Sequence, residues 1–203
     1  MNVAVIGIGG RVGSRLGAEL LARGHRVTGI ERHPRPTEAK EGLTIRQGDA
    51  TQPATLAPLL AGHDAVLSAS RFQTSDAAAL IAAVKKAAVK RLLVVGGAGS
   101  LEVAPGTALV DTAEFPDAYK AEARAGVTFL DALRAENDLD WTFLSPSAEF
   151  APGPRTGTFR LGRNELLTDR TGRSWVSMED FAIALVDELE HPRHLRQRFT
   201  VGY

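Results

Sequence analysis

Apolar and polar positions along this chain switch between two periods, and the switching marks out its elements. Asn2-Val3-Ala4-Val5-Ile6 is a short apolar, β-branched run that reads as a buried strand. A glycine-rich stretch from Gly7 to Gly13 follows. Leu16, Leu20 and Leu21 then recur at helical spacing over 14–23, until Gly24 stops the helix. Val27 to Ile30 is a second strand, ending at Glu31-Arg32. Further strands are predicted at 43–47, 64–70, 91–95 and 141–144. Helices are predicted at 53–61, opened by Pro53, at 75–88, with Asp76 in the first turn, and at 117–136. Such alternation predicts an α/β fold with a doubly wound parallel sheet and right-handed crossovers.

After Pro146 the pattern changes. Pro152-Gly153-Pro154-Arg155-Thr156-Gly157 is rich in turn residues. Strand-like pieces follow near 158–160 and 174–176. Ser177-Met178-Glu179-Asp180 opens a helix to about Glu190, with Ser177 and Asp180 in a capping arrangement. A last strand is predicted at 198–201. Ligands of open α/β sheets lie beyond the carboxyl ends of the strands. The irregular segment at about 146–173 follows one such end and is expected to wall the substrate, with Pro146, Ser147, Phe150 and Arg155 as candidate contacts. It reads as an excursion within one domain spanning 1–203.

Composition removes several classes of function. Lys plus Arg equals Asp plus Glu at 24 each, which leaves no electrostatic footprint for nucleic acid or an anionic membrane. There is no cysteine, hence no disulfide, thiolate metal site or cysteine nucleophile. The five histidines show no metal-ligand spacing, so no metal is expected. No apolar run reaches the roughly 18 residues of a membrane span, and a strand starting at residue 2 or 3 leaves no room for a signal peptide. A soluble cytoplasmic protein is the expectation. Lys85, Lys86, Lys90 and Arg91 read as a solvated face.

The candidate chemistry lies in the glycine stretch. Strand, glycine turn, helix and strand make a dinucleotide-binding unit. A pyrophosphate must approach the backbone closely, and the first N–H groups of the helix point unpaired at the anion. Val12 breaks the G-x-G-x-x-G pattern; the glycines that fit are Gly7, Gly10 and Gly13. Gly7, Gly9, Gly10, Arg11, Val12 and Gly13 are the candidate cofactor contacts there. Glu31 lies 18 residues past Gly13, near the offset of an acid that accepts adenosine ribose hydroxyls, whereas Arg32 could pair with a 2′-phosphate. Two unit charges at 4 Å are worth about 4 kcal/mol at an effective dielectric of 20, so Glu31 tilts the choice toward NAD over NADP.

The wider glycine spacing resembles that of the short-chain dehydrogenase/reductase superfamily, which implies a Rossmann-type NAD(P)-binding fold. On that resemblance Asp49, with Ala50, matches the aspartate beside the adenine ring. Ser68-Ala69-Ser70 borders the cofactor path, and Gly96-Gly97 follows the fifth strand. The best-known members carry Y-x-x-x-K, but Ala123 stands four residues after Tyr119, and Tyr203 is terminal. Lys120 is adjacent to Tyr119, where helical side chains diverge. Nearly the whole chain resembles the atypical NmrA-like branch, in particular small bacterial proteins named as NADH-flavin reductases by inference, and more distantly the biliverdin reductase B group. The motifs are Gly7 to Gly13, Gly96 to Leu101, Asp140 to Pro146, Pro152 to Gly157, Ser177 to Ala182 and Arg198 to Tyr203. Where those relatives carry a neutral residue before the arginine, this chain has Glu31, against the NADP preference they imply.

The resemblance implies an NAD(P)H-dependent reductase passing hydride to a flavin, quinone or similar flat acceptor. Such chemistry asks mainly for positioning, with water as proton source. Ser100 and Tyr119 are the candidate catalytic contacts at the nicotinamide. Two alternatives stay open: an NmrA-like redox sensor without turnover, and a sugar-nucleotide epimerase. The oligomeric state is left open.

Overall fold

In the computed structural model, residues 1–34 and 40–203 are described. Its elements are β1 (Asn2–Ile6), α1 (Arg11–Ala22), β2 (Arg26–Glu31), β3 (Leu43–Gln47), α2 (Pro53–Leu60), β4 (Ala65–Ser68), α3 (Ala77–Lys86), β5 (Arg91–Val95), β6 (Glu102–Ala104), β7 (Thr107–Ala108), α4 (Asp117–Arg134), β8 (Asp140–Ser145), β9 (Glu149–Ala151), β10 (Arg160–Gly162), β11 (Trp175–Ser177), α5 (Met178–Glu190) and β12 (Gln197–Gly202). The sheet has the order β10-β12-β8-β5-β4-β1-β2-β3, parallel throughout except for the edge strand β10.

Burial of both sheet faces explains the unbroken apolar runs. Successive residues of β1 go to opposite sides: Ala4 and Ile6 join Leu56, Leu60, Leu80, Val84, Phe129 and Leu133 from α2, α3 and α4. Val3 and Val5 join Leu16, Leu20, Phe181, Leu185 and Leu189 from α1 and α5. The fold is the α/β, doubly wound, Rossmann-type arrangement expected from the alternation. Among the described residues, no helix is long and apolar enough to cross a membrane.

The local signals act as their chemistry suggests, with some differences. Asp76 is the N-cap of α3, accepting from the N–H groups of Ala78 (2.8 Å) and Ala79 (3.2 Å). Ser177 caps α5 by accepting from the Asp180 N–H at 3.0 Å. Helix α1 opens at Arg11 rather than at residue 14, because Gly10 serves as its N-cap. The β6–β7 hairpin and strand β9, which pairs in parallel with β11, carry no periodic signal at two or three residues each. Arg91 is a correction: it is buried, not part of a solvated face, donating to the Asp140 carbonyl (2.8 Å), Thr142 Oγ1 (2.7 Å) and Glu188 Oε1 (3.0 Å).

Three of the later motifs meet at one carboxylate. Asp180 is fully buried and its Oδ1 accepts from the N–H groups of Thr156 (2.8 Å) and Gly157 (2.9 Å). Its Oδ2 accepts from the Thr156 hydroxyl and, at 2.6 Å, from the Tyr203 hydroxyl. Ser177 Oγ donates to the Pro154 carbonyl at 2.7 Å. The proline-glycine turn and the chain's last residue are thus fastened to the start of α5. Burial alone would raise the Asp180 pKa, but these donors outweigh it and hold the carboxyl below its usual range.

A carboxylate with a lowered native pKa stabilises the fold fully above its unfolded pKa, and that contribution is lost as pH falls toward the folded value. Asp180→Ala is expected to cost about 3 kcal/mol at neutral pH by orphaning buried donors. The gap from wild type should shrink below about pH 4. Urea unfolding at both pH values checks this; a gap that widens in acid is the contrary result.

Candidate functional site

The site is built at the carboxyl ends of β1, β4, β5 and β8. Gly7 leaves β1 with φ +82°, a left-handed conformation open to glycine, and its N–H donates to the Ile30 carbonyl at 2.8 Å. The Gly10 N–H donates back to the Gly7 carbonyl at 3.0 Å, closing the turn. A Cβ on Gly13 would lie 2.1 Å from the Gly7 carbonyl oxygen, so α1 can sit this close only with hydrogen there. The first N–H groups of α1, on Arg11, Val12 and Gly13, have no intrahelical acceptor and form the positive end of the helix. Arg11 is exposed; Val12 tucks partly into the α1-side core.

Glu31 ends β2 with its carboxylate folded over this turn: a Cβ on Gly9 would meet its oxygens at 2.7 and 2.8 Å. Gly7, Gly10, Glu31, Arg32, Asp49, Ala50, Ala69 and Ser70 all border one cavity of about 320 Å³. Asp49 Oδ1 accepts from the Thr51 N–H (2.9 Å) and hydroxyl (2.8 Å), which lower its pKa and make it a turn residue as well as a rim residue. Ser68 stands apart: it is buried in β4, opposite Ile6 in register, and does not reach the cavity.

A second cavity, of about 620 Å³, opens further along the same sheet edge, a size typical of small-molecule sites. Gly96, Gly97, Ser100, Tyr119, Pro146, Ser147 and Phe150 line it. Its floor is Phe72, whose ring lies 5.9 Å from that of Phe143 and 5.3 Å from that of Phe129. Glu122 of α4 holds this segment, accepting from the N–H groups of Phe72 (2.7 Å) and Gln73 (3.2 Å). Tyr119 is 67% exposed, so it does not cover the core but stands at the mouth. Among the described residues, the lining holds three carboxylates, Glu114, Glu122 and Glu149, and no lysine, arginine or histidine. Arg173 pairs with Glu149 at 2.6 Å and lowers its pKa.

Of the segment expected to wall the substrate, residues 146–150 face the cavity. Ser147 does so with its backbone surroundings, since its buried hydroxyl donates to the Val201 carbonyl at 3.0 Å. Arg155 is a correction. It forks onto Glu19 of α1, Nε to Oε2 at 3.0 Å and Nη2 to Oε1 at 2.9 Å, because that buried carboxylate needs a counter-charge. Together with Arg23 it lowers the Glu19 pKa. Phe72, Phe115 and Glu122 were not anticipated. Glu122 could have been, since it lies three residues past Tyr119 on the same helix face.

Arg198 was also missed as a site residue. It is buried on β12 behind Ser100, its Nη1 donating to Ser100 Oγ at 3.3 Å and its Nη2 to the Ser100 carbonyl at 3.4 Å. Its Nε and Nη2 donate to Asn164 Oδ1 at 3.0 and 2.9 Å. Little in the sequence signalled it: Arg198 follows Arg196 and Gln197, and shares its strand face with Thr200 while Phe199 and Val201 take the other.

A doubly wound sheet with a helix N-terminus exposed beyond a left-handed glycine, one cavity at the end of β1 and a second at the ends of β5 and β8, defines a nucleotide-binding protein. The family profile described as NAD(P)H-binding matches residues 7–192, and the chain belongs to that family. This accords with the NmrA-like, short-chain resemblance of its motifs, and the cofactor is a nicotinamide nucleotide. A solved structure from Burkholderia pseudomallei, provisionally described as an exported protein, is 46% identical with a TM-score of 0.90 over 100% of both chains. One from Bacteroides thetaiotaomicron, provisionally described as an epimerase, is 41% identical with a TM-score of 0.95, over 100% of this chain and 96% of that one. One from Streptococcus pneumoniae, provisionally described as an NADH-flavin reductase, is 34% identical with a TM-score of 0.87, over 100% and 99%.

The glycine turn makes a sharp prediction. Gly13→Ala must push α1 off the Gly7 carbonyl and should weaken NADH binding at least about tenfold. Gly10→Ala, whose Cβ would meet that oxygen at 3.1 Å, should cost less. Fluorescence titration of the two variants and wild type measures this; equal affinities would mean that the turn does not hold the cofactor.

Proposed function

We propose that this protein is an NAD(P)H-dependent reductase whose acceptor is a flat conjugated molecule, a quinone or flavin. The observation that carries the reading is the apolar cavity of about 620 Å³ beside Gly96-Gly97, bordered by Phe72, Phe115, Tyr119 and Phe150. Reduced nicotinamide, when bound, supplies the hydride. The residues proposed to hold the nucleotide are Gly7, Gly9, Gly10, Arg11, Val12 and Gly13 around the phosphates, with Glu31, Arg32, Asp49 and Ala50 at the adenosine end. Ala69, Ser70, Gly96 and Gly97 border its path toward the second cavity. Pro146 and Phe150 pack against the acceptor, and Ser100 and Tyr119 offer it polar contact. The Streptococcus pneumoniae relative's name supports this reading.

The Bacteroides thetaiotaomicron relative's name points to an epimerase. That chemistry is served poorly here: Ala123 stands where a tyrosine-lysine pair would need its lysine, and among the described residues no cation lines the cavity to meet a sugar nucleotide's diphosphate. A sensor without turnover needs no acceptor cavity. NADH oxidation with FMN, FAD, riboflavin and a set of neutral quinones tests the proposal. The acidic rim should favour neutral acceptors over FMN. No turnover above background with any of them would overturn the reading.

Glu31 is proposed to set cofactor choice toward NAD. Its carboxylate lies over the turn, where a 2′-phosphate would meet repulsion. Glu31→Gln should weaken NAD binding by roughly ten- to a hundredfold, as hydrogen bonds to a charged group are worth about 1.5–3 kcal/mol. NADP binding should improve while Arg32 and Arg11 remain. Arg32→Ala should leave NAD nearly unchanged. If wild type already prefers NADP and Glu31→Gln changes nothing, Arg32 sets the preference.

A further inference from the structure

We propose that Arg198 fixes the Ser100 hydroxyl as a hydrogen-bond donor into the acceptor cavity, so that the site binds ligands gathering negative charge on a conjugated carbonyl oxygen. Guanidinium has no acceptor, so the 3.3 Å contact from Arg198 Nη1 to Ser100 Oγ runs in one direction only. Ser100 Oγ must accept, and its own proton must point elsewhere. Among the described residues no protein acceptor bonds that proton, and Ser100 lines the cavity.

The cation behind the hydroxyl is unusual. Arg198 is 8% exposed, and its direct partners are neutral: Ser100 Oγ, the Ser100 carbonyl and Asn164 Oδ1. Burial pulls its pKa down to about 10, which leaves it charged at neutral pH. A cation with neutral partners polarises the hydroxyl it touches, and low local dielectric strengthens the effect. The rim carboxylates Glu114, Glu122 and Glu149 act oppositely. Those carboxylates are therefore not the source of any preference of the cavity for an oxyanion.

The ligand class rests on the reductase reading; the donor does not. In reduction, hydride from a reduced nicotinamide adds to the acceptor's conjugated system, and the nicotinamide is left oxidised. The displaced π-electron pair moves onto the acceptor's carbonyl oxygen. Ser100 Oγ–H donates a hydrogen bond to that oxygen as its charge grows, and water then supplies the proton. Ser100 is the catalytic contact and Arg198 its positioning residue.

A chromophoric phenol tests the donor without turnover. 4-Nitrophenol is titrated into the full-length protein across pH, and absorbance separates phenol from phenolate. Wild type should favour bound phenolate over bound phenol about tenfold more than water does. Ser100→Ala should abolish the preference, and Ser100→Thr should restore part of it. Arg198→Lys, which keeps the charge but cannot span Ser100 and Asn164 together, should reduce it severalfold. Ser100→Ala is the mild variant, because Arg198 keeps its bonds to the Ser100 carbonyl and Asn164. Quinone reduction by Ser100→Ala should lose about ten- to a hundredfold in kcat with KM little changed. If wild type shows no phenolate preference, or if it survives in Ser100→Ala, the proposal is overturned. If it depends on Ser100 but is unchanged in folded Arg198→Lys, the role of Arg198 is overturned. If it depends on both residues while no acceptor is reduced, the oxyanion site stands and the reductase reading falls.

Discussion

Of all the glycines, Gly13 comes closest to a neighbour, lying against the Gly7 carbonyl. With 2.1 Å between that oxygen and the place of a Cβ, α1 is seated on the end of β1 with no freedom to slide outward. Two consequences follow from one contact. The unpaired N–H groups of α1 are held beyond the sheet edge, where an anion can reach them. The rest of the helix is aimed along the sheet, so Glu19 emerges two turns later, where Arg155 and Arg23 close on it. Helix α1 packs on α5, and α5 carries the Asp180 cluster that gathers the proline-glycine turn and Tyr203. The glycine turn and the proline-glycine turn, about 140 residues apart in sequence, are thereby positioned by the same helix.

The parallel core was legible because both its faces are buried. An apolar run such as Arg91-Leu92-Leu93-Val94-Val95 has one sensible placement, and the strand forms over just those residues. Helix boundaries followed their caps at Asp76 and Ser177. What escaped were contacts decided in three dimensions. Arg91 looked like part of a basic surface run, but strand register sets it opposite Asp140 and within reach of Glu188. Arg155 looked like a substrate contact in a turn-rich wall, but it pairs with the buried carboxylate of Glu19. The hairpin β6–β7 and strand β9 are too short for either period to show. In the site, the glycine turn was legible from its spacing between a predicted strand and a predicted helix. The aromatic floor at Phe72 was not, because its place depends on Glu122 catching two N–H groups from a different element.

The two buried arginines show how differently this fold treats similar charges. Arg91 meets the carboxylate of Glu188, itself held by the N–H of His194 at 2.9 Å, so the pair's field is largely cancelled inside the protein. Such a pair ties β5 to α5 and acts locally. Arg198 touches no carboxylate among the described residues; Glu102 and Glu165 act on it only through space. Its desolvation is offset by neutral oxygens, and its field is offset only in part, by carboxylates that do not touch it. The two ends of the site therefore divide the electrostatic work. At the exposed nucleotide end, the backbone N–H groups, Glu31 and Arg32 are proposed to select charge. At the apolar end Arg198 sits behind the cavity wall, with Ser100 between it and the space in front. A cation lining the cavity would bind ground-state anions tightly. A cation behind a hydroxyl responds most where negative charge grows against that hydroxyl, which is where differential binding lowers a barrier.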